Sequence, residues 1–251
     1  MNPAFSLAGR RIMVTGANTG IGQGIAVAIA RAGGSVVGVG RSSMDETVAM
    51  VQAAGGWMEA VSCDLSDTDS ATAMLEECWA AAPLEGLVNN AGIIRRADSL
   101  DLSQEDWDDV LDVNLKTLFF LCQAFGRKLV ASNRTGKIVN IASLLSFQGG
   151  IRVASYTASK HGVVGITQIL ANEWAAKGIN VNAVAPGYIV TNNTEALRAD
   201  PDRSAAILAR IPAGRWGSPS DIGDAAVFLL APASDYMHGA VVPVDGGWLA
   251  R

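Results

Sequence analysis

The sequence contains few of the residues and patterns that mark several protein classes. Its three cysteines and two histidines in 251 residues are too few for a disulfide framework and lack the spacing of metal ligands. It has no run of 18 apolar residues that would span a membrane, and its first residues lack the long apolar region of a signal peptide. No basic stretch offsets the net charge of -5. We therefore expect a cytoplasmic protein with reduced thiols, and no metal, membrane or nucleic-acid partner.

Short apolar runs alternate with longer amphipathic segments along the whole chain, which is 49% hydrophobic. The runs predict strands at 11–15, 35–40, 57–62, 86–89, 137–142, 179–185 and 240–245. Strand and helix repeated in this way predict an α/β fold: a three-layer, Rossmann-type doubly wound sheet of about seven parallel strands with helices on both faces. We expect a single domain over 1–251.

Helix starts and one long connection can also be located. Ser43 with Glu46 has the spacing of a capping box, and Ser218 followed by Pro219 and Asp221 indicates another helix start. The stretch 186–216 holds three prolines and several polar residues, and we expect it to be irregular. Long loops within compact domains usually serve as lids or binding loops, so this stretch is the predicted substrate lid.

A glycine-rich turn, "TGANTGIG" (15–22), follows the first predicted strand and opens a helix. Gly16, Gly20 and Gly22 allow a tight turn, and the helix N-terminus offers unpaired N–H groups to a pyrophosphate. The spacing differs from the usual G-x-G-x-x-G, and a turn that merely packs helix on strand is the alternative. Its place after the first strand favours dinucleotide binding.

The residues after the second and third strands bear on the choice of cofactor. The second strand ends in Gly40 and Arg41, where an NAD-binding protein usually has an acidic residue for the ribose hydroxyls. A cation here suits the 2′-phosphate of NADP and favours it slightly, although a solvated arginine is the simpler alternative. Asp64 is placed either to accept a bond from adenine or to start a helix.

Tyr156 and Lys160 lie one helical turn apart, where their side chains share a face of the helix. Polar residues at the ends of the fourth, fifth and sixth strands, Asn89–Gly92, Ser143 and Pro186–Gly187, fall at the same sheet edge. One opposite charge at roughly 5 Å contributes on the order of 3 kcal/mol, or about two pKa units, at an effective dielectric of about 20. With the charge of an oxidised nicotinamide, this would make the phenol a usable base.

Six motifs in order, "TGANTGIG", "NNAG", "VNL", "VNIAS", "YTASK" and "PGYIVT", resemble the short-chain dehydrogenase/reductase family across the whole chain. The resemblance implies four catalytic residues: Asn114, Ser143, Tyr156 and Lys160. Tyr156 would exchange a proton with the substrate oxygen, and Ser143 would hold that oxygen. Lys160 would lower the pKa of the tyrosine and bind the nicotinamide ribose. Asn114 would position a water that links Lys160 to solvent.

Combining the turn, the charges and the resemblance gives a set of predicted cofactor contacts for NAD or NADP. They are Gly16, Asn18, Thr19, Gly20, Ile21, Arg41, Asp64, Leu65, Asn90, Ala91, Gly92, Tyr156, Lys160, Pro186, Gly187, Ile189 and Thr191. Relatives in the group described next are usually written with NAD, against the argument from Arg41.

A finer resemblance, in "NNAGIIRR", "SFQGGIRV", "PGYIVTNNTEALRAD", "RIPAGRWG" and "VDGGWLAR", is to family members that act on 2-dehydro-3-deoxy-D-gluconate and its 5-keto product. It implies a sugar-acid substrate and a homotetramer. The predicted substrate residues are Arg95, Gln148, Arg152, Asn192 and Asn193, with Arg96 and Arg215 as further cations. We favour Arg152 for the carboxylate, because the catalytic loop carries it.

Two alternatives stay open. The first is a 3-oxoacyl carrier-protein reductase or another ketone reductase, including steroid-type dehydrogenases, on the same scaffold, although "TNNTEALRAD" is polar for an apolar substrate. The second is a non-catalytic dinucleotide-binding regulator, which would not need Tyr156 and Lys160. His161 and His238 are expected to pack rather than bind a metal.

Overall fold

The structure, a computed structural model, describes residues 2–251, and within them the chain forms a seven-stranded parallel sheet in the order β3-β2-β1-β4-β5-β6-β7. The strands are β1 (Arg11–Thr15), β2 (Ser35–Gly40), β3 (Met58–Ser62), β4 (Gly86–Asn89), β5 (Gly136–Ile141), β6 (Ile179–Pro186) and β7 (Val241–Val244). The predicted Rossmann-type fold is confirmed. The predicted bounds of β1, β2 and β4 agree with the structure, and those of the others differ by one residue or two.

The helices that cover the sheet are α1 (Gly20–Arg31), α2 (Asp45–Ala53), α3 (Thr68–Ala81), α4 (Gln104–Leu111), α5 (Leu118–Ala131), α6 (Ala154–Trp174), α7 (Glu195–Ala199), α8 (Pro201–Arg210) and α9 (Pro219–Leu230). A π-helical turn, Asp112–Thr117, joins α4 to α5. None of the helices within residues 2–251 has the length and apolar composition needed to cross a membrane.

Two apolar clusters fill the space between the sheet and its helices. One lies under α3, α5 and α6, where Phe125, Leu75 and Leu170 are buried. The other lies under α1, α2 and α9, where Ile25 and Ile222 are buried. Because both faces of the strands are covered, β5 and β6 are buried along their whole length and show no polar alternation.

The predicted irregular lid is wrong in part, because 186–216 contains the helices α7 and α8. Pro201 occupies the first position of α8, and the Asp200 side chain accepts from the backbone N–H groups of Asp202 and Arg203. The proline that suggested irregular chain is thus a helix-start residue. Ile207, on α8, packs in a third cluster with Trp248.

One of the two predicted helix starts is confirmed. Ser218 and Asp221 form a capping box at α9, with Pro219 at the first helical position. The capping box predicted for Ser43 and Glu46 is wrong, because α2 begins at Asp45 and Ser43 Oγ instead accepts from the Asp45 N–H at 3.1 Å. Glu46 therefore lies at the second helical position, out of register for a capping box.

Helices α1 and α9 pack closely because glycines lie where they cross. A Cβ atom added to Gly223 would come within 2.8 Å of both the Ala28 Cβ and the Gly24 backbone oxygen. Backbone atoms cannot yield as a flexible side chain can, so an extra methyl group would push the helices apart. The position of α1 matters for the site, since its N-terminus follows the glycine-rich turn.

We expect Gly223→Ala to lower the free energy of unfolding by about 1–3 kcal/mol, the usual cost of overpacking. Gly165→Ala is the matched control, because Gly165 is exposed on α6 and an added Cβ would meet nothing within 4 Å. Alanine favours the helix there, so the control should be neutral or slightly stabilising. Urea unfolding curves of the two variants provide the measurement, and equal effects would contradict this account.

Candidate active site

The site lies where the strand order reverses, at the carboxyl ends of the adjacent strands β1 and β4. The chain passes from β1 to β2 and β3 on one side and then returns to β4 on the other, which opens a crevice between the loops. Asn90 holds the two strand ends together, since its Nδ2 donates to the Thr15 carbonyl at 2.9 Å and its N–H to Thr15 Oγ1 at 3.0 Å.

The glycine-rich turn is shaped for close approach by a ligand backbone. Gly16 and Gly20 adopt positive φ angles of +66° and +58°, which favour glycine. A Cβ on Gly22 would come within 2.1 Å of the Gly16 carbonyl oxygen, so a larger residue would break the turn. The cradle and the α1 N-terminus fit the pyrophosphate of a dinucleotide.

A cavity of about 590 Å³ runs from this turn to the ends of β5 and β6. Every residue predicted to contact the cofactor lines it, as do Ser143, Arg95, Asn192 and Asn193 from the predicted catalytic and substrate sets. Asn114, Gln148 and Arg152 do not line it. The strand-end argument therefore located the cavity, whereas three side-chain assignments made from sequence position fall outside its lining.

The Arg41 guanidinium lies beside Asp64, with 3.7 Å between the Nη1 and Oδ2 atoms. Both side chains are more than half exposed, so this ion pair contributes little. Ser42 accepts from Asn18 Nδ2 at 2.8 Å and also lines the cavity. Arg41 is thus available to a phosphate at the adenosine end, and Ser42 is a polar partner there that the sequence analysis missed.

Ser143, Tyr156 and Lys160 come together at the other end of the cavity. Ser143 Oγ accepts from the Leu145 N–H at 3.1 Å, which fixes the serine at the start of a 3-10 turn, Leu144–Ser146. Lys160 Nζ donates to the Ile141 carbonyl at 2.6 Å and lies 5.6 Å from the centre of the Tyr156 ring. This serine–tyrosine–lysine group is the arrangement that the resemblance implied.

Burial governs the ionisation of both the phenol and the ammonium. It raises the pKa of Tyr156 above its ordinary value, against smaller lowering effects of the neighbouring Ser143 and of the Arg96 charge. It lowers the pKa of Lys160 to about 8. Lys160 is not among the groups that shift the pKa of Tyr156 here, so the lowering expected from Lys160 beside a bound nicotinamide stays a prediction.

Asn114 lies in the π-helical turn and is fully buried. Its Oδ1 accepts from the Ile93 N–H at 2.8 Å, and its Nδ2 donates to the Ile93 carbonyl at 2.9 Å and to Ser159 Oγ at 3.3 Å. Both amide hydrogens are therefore used within the protein. In the structure Asn114 joins the loop after β4 to helix α6, and π-helical turns of this kind are frequent at functional sites.

The predicted substrate residues are placed differently from one another. Asn192 and Asn193, in the stretch predicted to be the lid, line one edge of the cavity in a 3-10 turn over Asn192–Thr194. Gln148 instead accepts from Trp248 Nε1 at 3.4 Å. Arg152 is exposed, adopts a φ of +63°, and lies 3.7 Å from Asp98. The catalytic loop thus carries Arg152 away from the cavity lining.

Two further features of the site, the Ile141 carbonyl, which holds Lys160, and Ser42, could be inferred only after the fold was known. Arg96 was among the candidate cations, but nothing in the sequence separated it from Arg95. Among residues 2–251, no group of three or more His, Cys, Asp or Glu side chains is arranged to hold a metal ion.

Known dehydrogenases and reductases are similar to this chain over nearly its whole length. A family model described as enoyl-(acyl carrier protein) reductase matches residues 16–249. The 2-dehydro-3-deoxy-D-gluconate 5-dehydrogenases of Escherichia coli K12 and Dickeya dadantii are 54% and 53% identical, covering 99% and 98% of this chain and 98% of each relative. A solved structure from Agrobacterium tumefaciens, proposed to be a 2-deoxy-D-gluconate 3-dehydrogenase and holding NADP, is 62% identical over the full length of both chains, with a TM-score of 0.96.

The lowered pKa of Lys160 predicts a pH dependence of stability. Below about pH 8 the buried amine carries its charge and destabilises the fold; as pH rises from about 8 to 10.5, the native state loses its proton before the unfolded chain does. The free energy of unfolding of the protein, relative to Lys160→Met, should therefore rise across this window by up to roughly 3 kcal/mol. Denaturant titrations of both proteins at several pH values measure the difference, and a constant or falling difference would disprove the shift.

Proposed function

The chain belongs to the short-chain dehydrogenase/reductase family, and from this premise we propose that it is an NAD(P)-dependent dehydrogenase of deoxy sugar acids. Its substrate class would be 2-dehydro-3-deoxy-D-gluconate, with hydride exchanged at a secondary alcohol or ketone. One observation carries the proposal: the serine–tyrosine–lysine group lines the same cavity as the glycine cradle. The identity of about half the residues to the relatives named above supports the substrate class.

In this proposal the dinucleotide supplies the hydride acceptor or donor, and the side chains handle the proton and the substrate oxygen. Ser143 and Tyr156 line the same end of the cavity, and Ser143 lowers the pKa of Tyr156, so an oxygen held by Ser143 lies next to the phenol. In reduction the protonated phenol gives its proton to that oxygen. In oxidation the phenolate takes the proton from the hydroxyl group.

Lys160 has polar capacity left for a ligand. Its ammonium has three hydrogens, and within the described chain it donates to one protein acceptor, the Ile141 carbonyl. The side chain is 4% exposed and lines the cavity. We infer that its remaining hydrogens bind ribose hydroxyls. The effect of Lys160 on the pKa of Tyr156 then depends on where the bound ribose holds Nζ.

The lid chemistry suits a hydroxylated substrate. Asn192 and Asn193 line the cavity, and amide groups bind sugar hydroxyls better than they bind an acyl chain. This supports a sugar acid over the 3-oxoacyl alternative. We also propose a cytoplasmic homotetramer; three free thiols support the location, and the partly exposed Trp107 and Phe120 on α4 and α5 support an interface.

The choice between cofactors rests on the adenosine end of the cavity. We propose that the protein binds both NAD and NADP, and that Arg41 favours NADP. The weak ion pair with Asp64 supports this, because a 2′-phosphate can take the guanidinium at small cost. The Agrobacterium structure, which holds NADP, agrees with the same preference.

Replacing Tyr156 by phenylalanine tests the proposed reaction. Loss of the proton donor and acceptor should lower kcat by about 100- to 10,000-fold, the usual contribution of acid–base catalysis, while dinucleotide affinity stays nearly unchanged. Turnover of 2-dehydro-3-deoxy-D-gluconate, followed by absorbance of the reduced nicotinamide, gives kcat, and calorimetry gives the affinity. The exposed Tyr236 provides the matched control, Tyr236→Phe.

The outcomes of that experiment are distinct. Full activity in Tyr156→Phe would disprove the role of the phenol. A wild-type protein that turns over 3-oxoacyl thioesters but no sugar acid would favour the reductase alternative. Tight dinucleotide binding without turnover of any ketone or alcohol would favour the regulator.

Replacing Arg41 by alanine tests the cofactor assignment. The dissociation constant for NADP should rise about 10- to 100-fold, the cost of losing hydrogen bonds to a charged group, and that for NAD should change little. Asp64→Asn serves for comparison, because it removes the competing anion and should leave NADP binding equal or tighter. Equal weakening of both cofactors by Arg41→Ala would contradict the proposal.

A further inference from the structure

Four arginines were considered from the sequence as ligands for a substrate carboxylate. Three of them lie beside carboxylates of the protein: Arg95 beside Asp106 and Asp109, Arg152 beside Asp98, and Arg215 beside Asp221. The pairing of Arg215 is bidentate, at 2.8 and 2.9 Å. Arg95 and Arg215 are hydrogen-bonded to their partners, whereas the Arg152–Asp98 pair, at 3.7 Å and more than half exposed, contributes little.

Arg96 differs from these three. Within residues 2–251 no carboxylate oxygen lies within 4.0 Å of its guanidinium, and its recorded side-chain contact is a weak one, Nη2 to the Asn193 carbonyl at 3.5 Å. Asn193 lines the cavity. Arg96 itself does not line the cavity. Its guanidinium contacts the backbone of a residue that does, and so lies at the outer rim of the site with no carboxylate partner.

The charge of Arg96 also acts on the reacting centre. Of the charged groups in the described chain, Arg96 is the one that lowers the pKa of the Tyr156 phenol. Arg198, on the lid, likewise has no carboxylate partner within the described residues, but it donates to the Thr191 carbonyl and has no such effect on Tyr156. Arg96 is therefore a cation without a carboxylate partner whose charge acts on the phenol.

The backbone fixes the base of this arginine. The N–H of Ala97, the next residue, donates to the Arg152 carbonyl at 3.2 Å and so ties the loop after β4 to the catalytic loop. A guanidinium anchored there presents a planar set of donors that matches a carboxylate. An anion bound to it would replace the weak contact with Asn193.

We propose that Arg96, and not Arg152, binds the carboxylate of the substrate and sets the preference for acids over neutral polyols. This inference rests on the proposed function, of which it names the recognition element. The carboxylate would lie at the rim between the loop after β4 and the lid, while the alcohol or ketone lies by Ser143. Asn192 and Asn193 remain for the hydroxyl groups between them.

The experiment compares Arg96→Gln, Arg96→Lys and Arg152→Gln on a sugar acid and on its neutral methyl ester. Arg96→Gln should raise KM for the acid about 10- to 100-fold, the usual cost of losing hydrogen bonds to a charged group, with KM for the ester nearly unchanged. Arg96→Lys should retain part of the preference. Arg203→Gln, an exposed arginine of α8, removes the same charge at a distance and is the matched control.

A second readout separates recognition from a structural role. Because the Arg96 charge lowers the pKa of Tyr156, its removal should shift the alkaline rise of kcat/KM for oxidation of the ester to higher pH. The control variant should leave that profile in place. An arginine with only a structural role would change neither the preference for the acid over the ester nor the pH at which kcat/KM for ester oxidation rises.

Some outcomes would overturn the inference. Loss of the acid preference in Arg152→Gln but not in Arg96→Gln would assign the carboxylate to Arg152. Equal weakening of acid and ester by Arg96→Gln would show a structural effect. If the wild-type protein turns over no sugar acid, the proposed function fails. Arg96 is then tested on whichever ketone the protein reduces, by comparing inhibition by D-gluconate with inhibition by the neutral D-glucitol. Equal inhibition by the two compounds would overturn the inference as well.

Discussion

The active site depends on the buried ammonium of Lys160, which has one protein acceptor and lies beside the half-buried phenol of Tyr156. Burial disfavours charge on both groups, which is why the pKa of Lys160 falls to about 8 while that of Tyr156 rises. Such an arrangement does not stabilise the fold, since a buried charge is costly unless it is fully paired. The unpaired hydrogens of Nζ are instead polar capacity that the protein leaves for a ligand.

The sheet makes this arrangement possible by fixing the backbone around it. Lys160 Nζ reaches the carbonyl of Ile141 at the end of β5, and Ser146 Oγ donates to the Lys160 carbonyl at 2.7 Å. The lysine is thus held at both its backbone and its side chain. The glycine cradle after β1 lies in the same cavity, because the carboxyl ends of parallel strands meet at one edge.

The strands and the location of the cavity could be predicted, because each depends on a local pattern or on position at a strand end. The roles given to the residues that line the cavity stay predictions. The helices of the lid could not be predicted, since Pro201 suits both a loop and a helix start, and the buried partners of Ile207 are remote in sequence. The contacts of individual side chains could not be predicted, because they depend on neighbours that are remote in sequence. Gln148 accepts a hydrogen bond from Trp248, and Arg152, whose φ is positive, lies beside Asp98.

The same dependence on neighbours explains how an acidic protein can select an anion. The chain has a net charge of -5, and of the four candidate arginines three lie beside a carboxylate. A guanidinium at the rim without such a partner adds a local attraction for anions to a surface that is acidic as a whole. Because that charge also lowers the pKa of Tyr156, a bound carboxylate weakens the help that Arg96 gives the phenol. The Arg96 charge would therefore serve both substrate recognition and the pKa of Tyr156. Once a carboxylate is bound to Arg96, the lowering of that pKa would have to come from the positive charge of the oxidised nicotinamide.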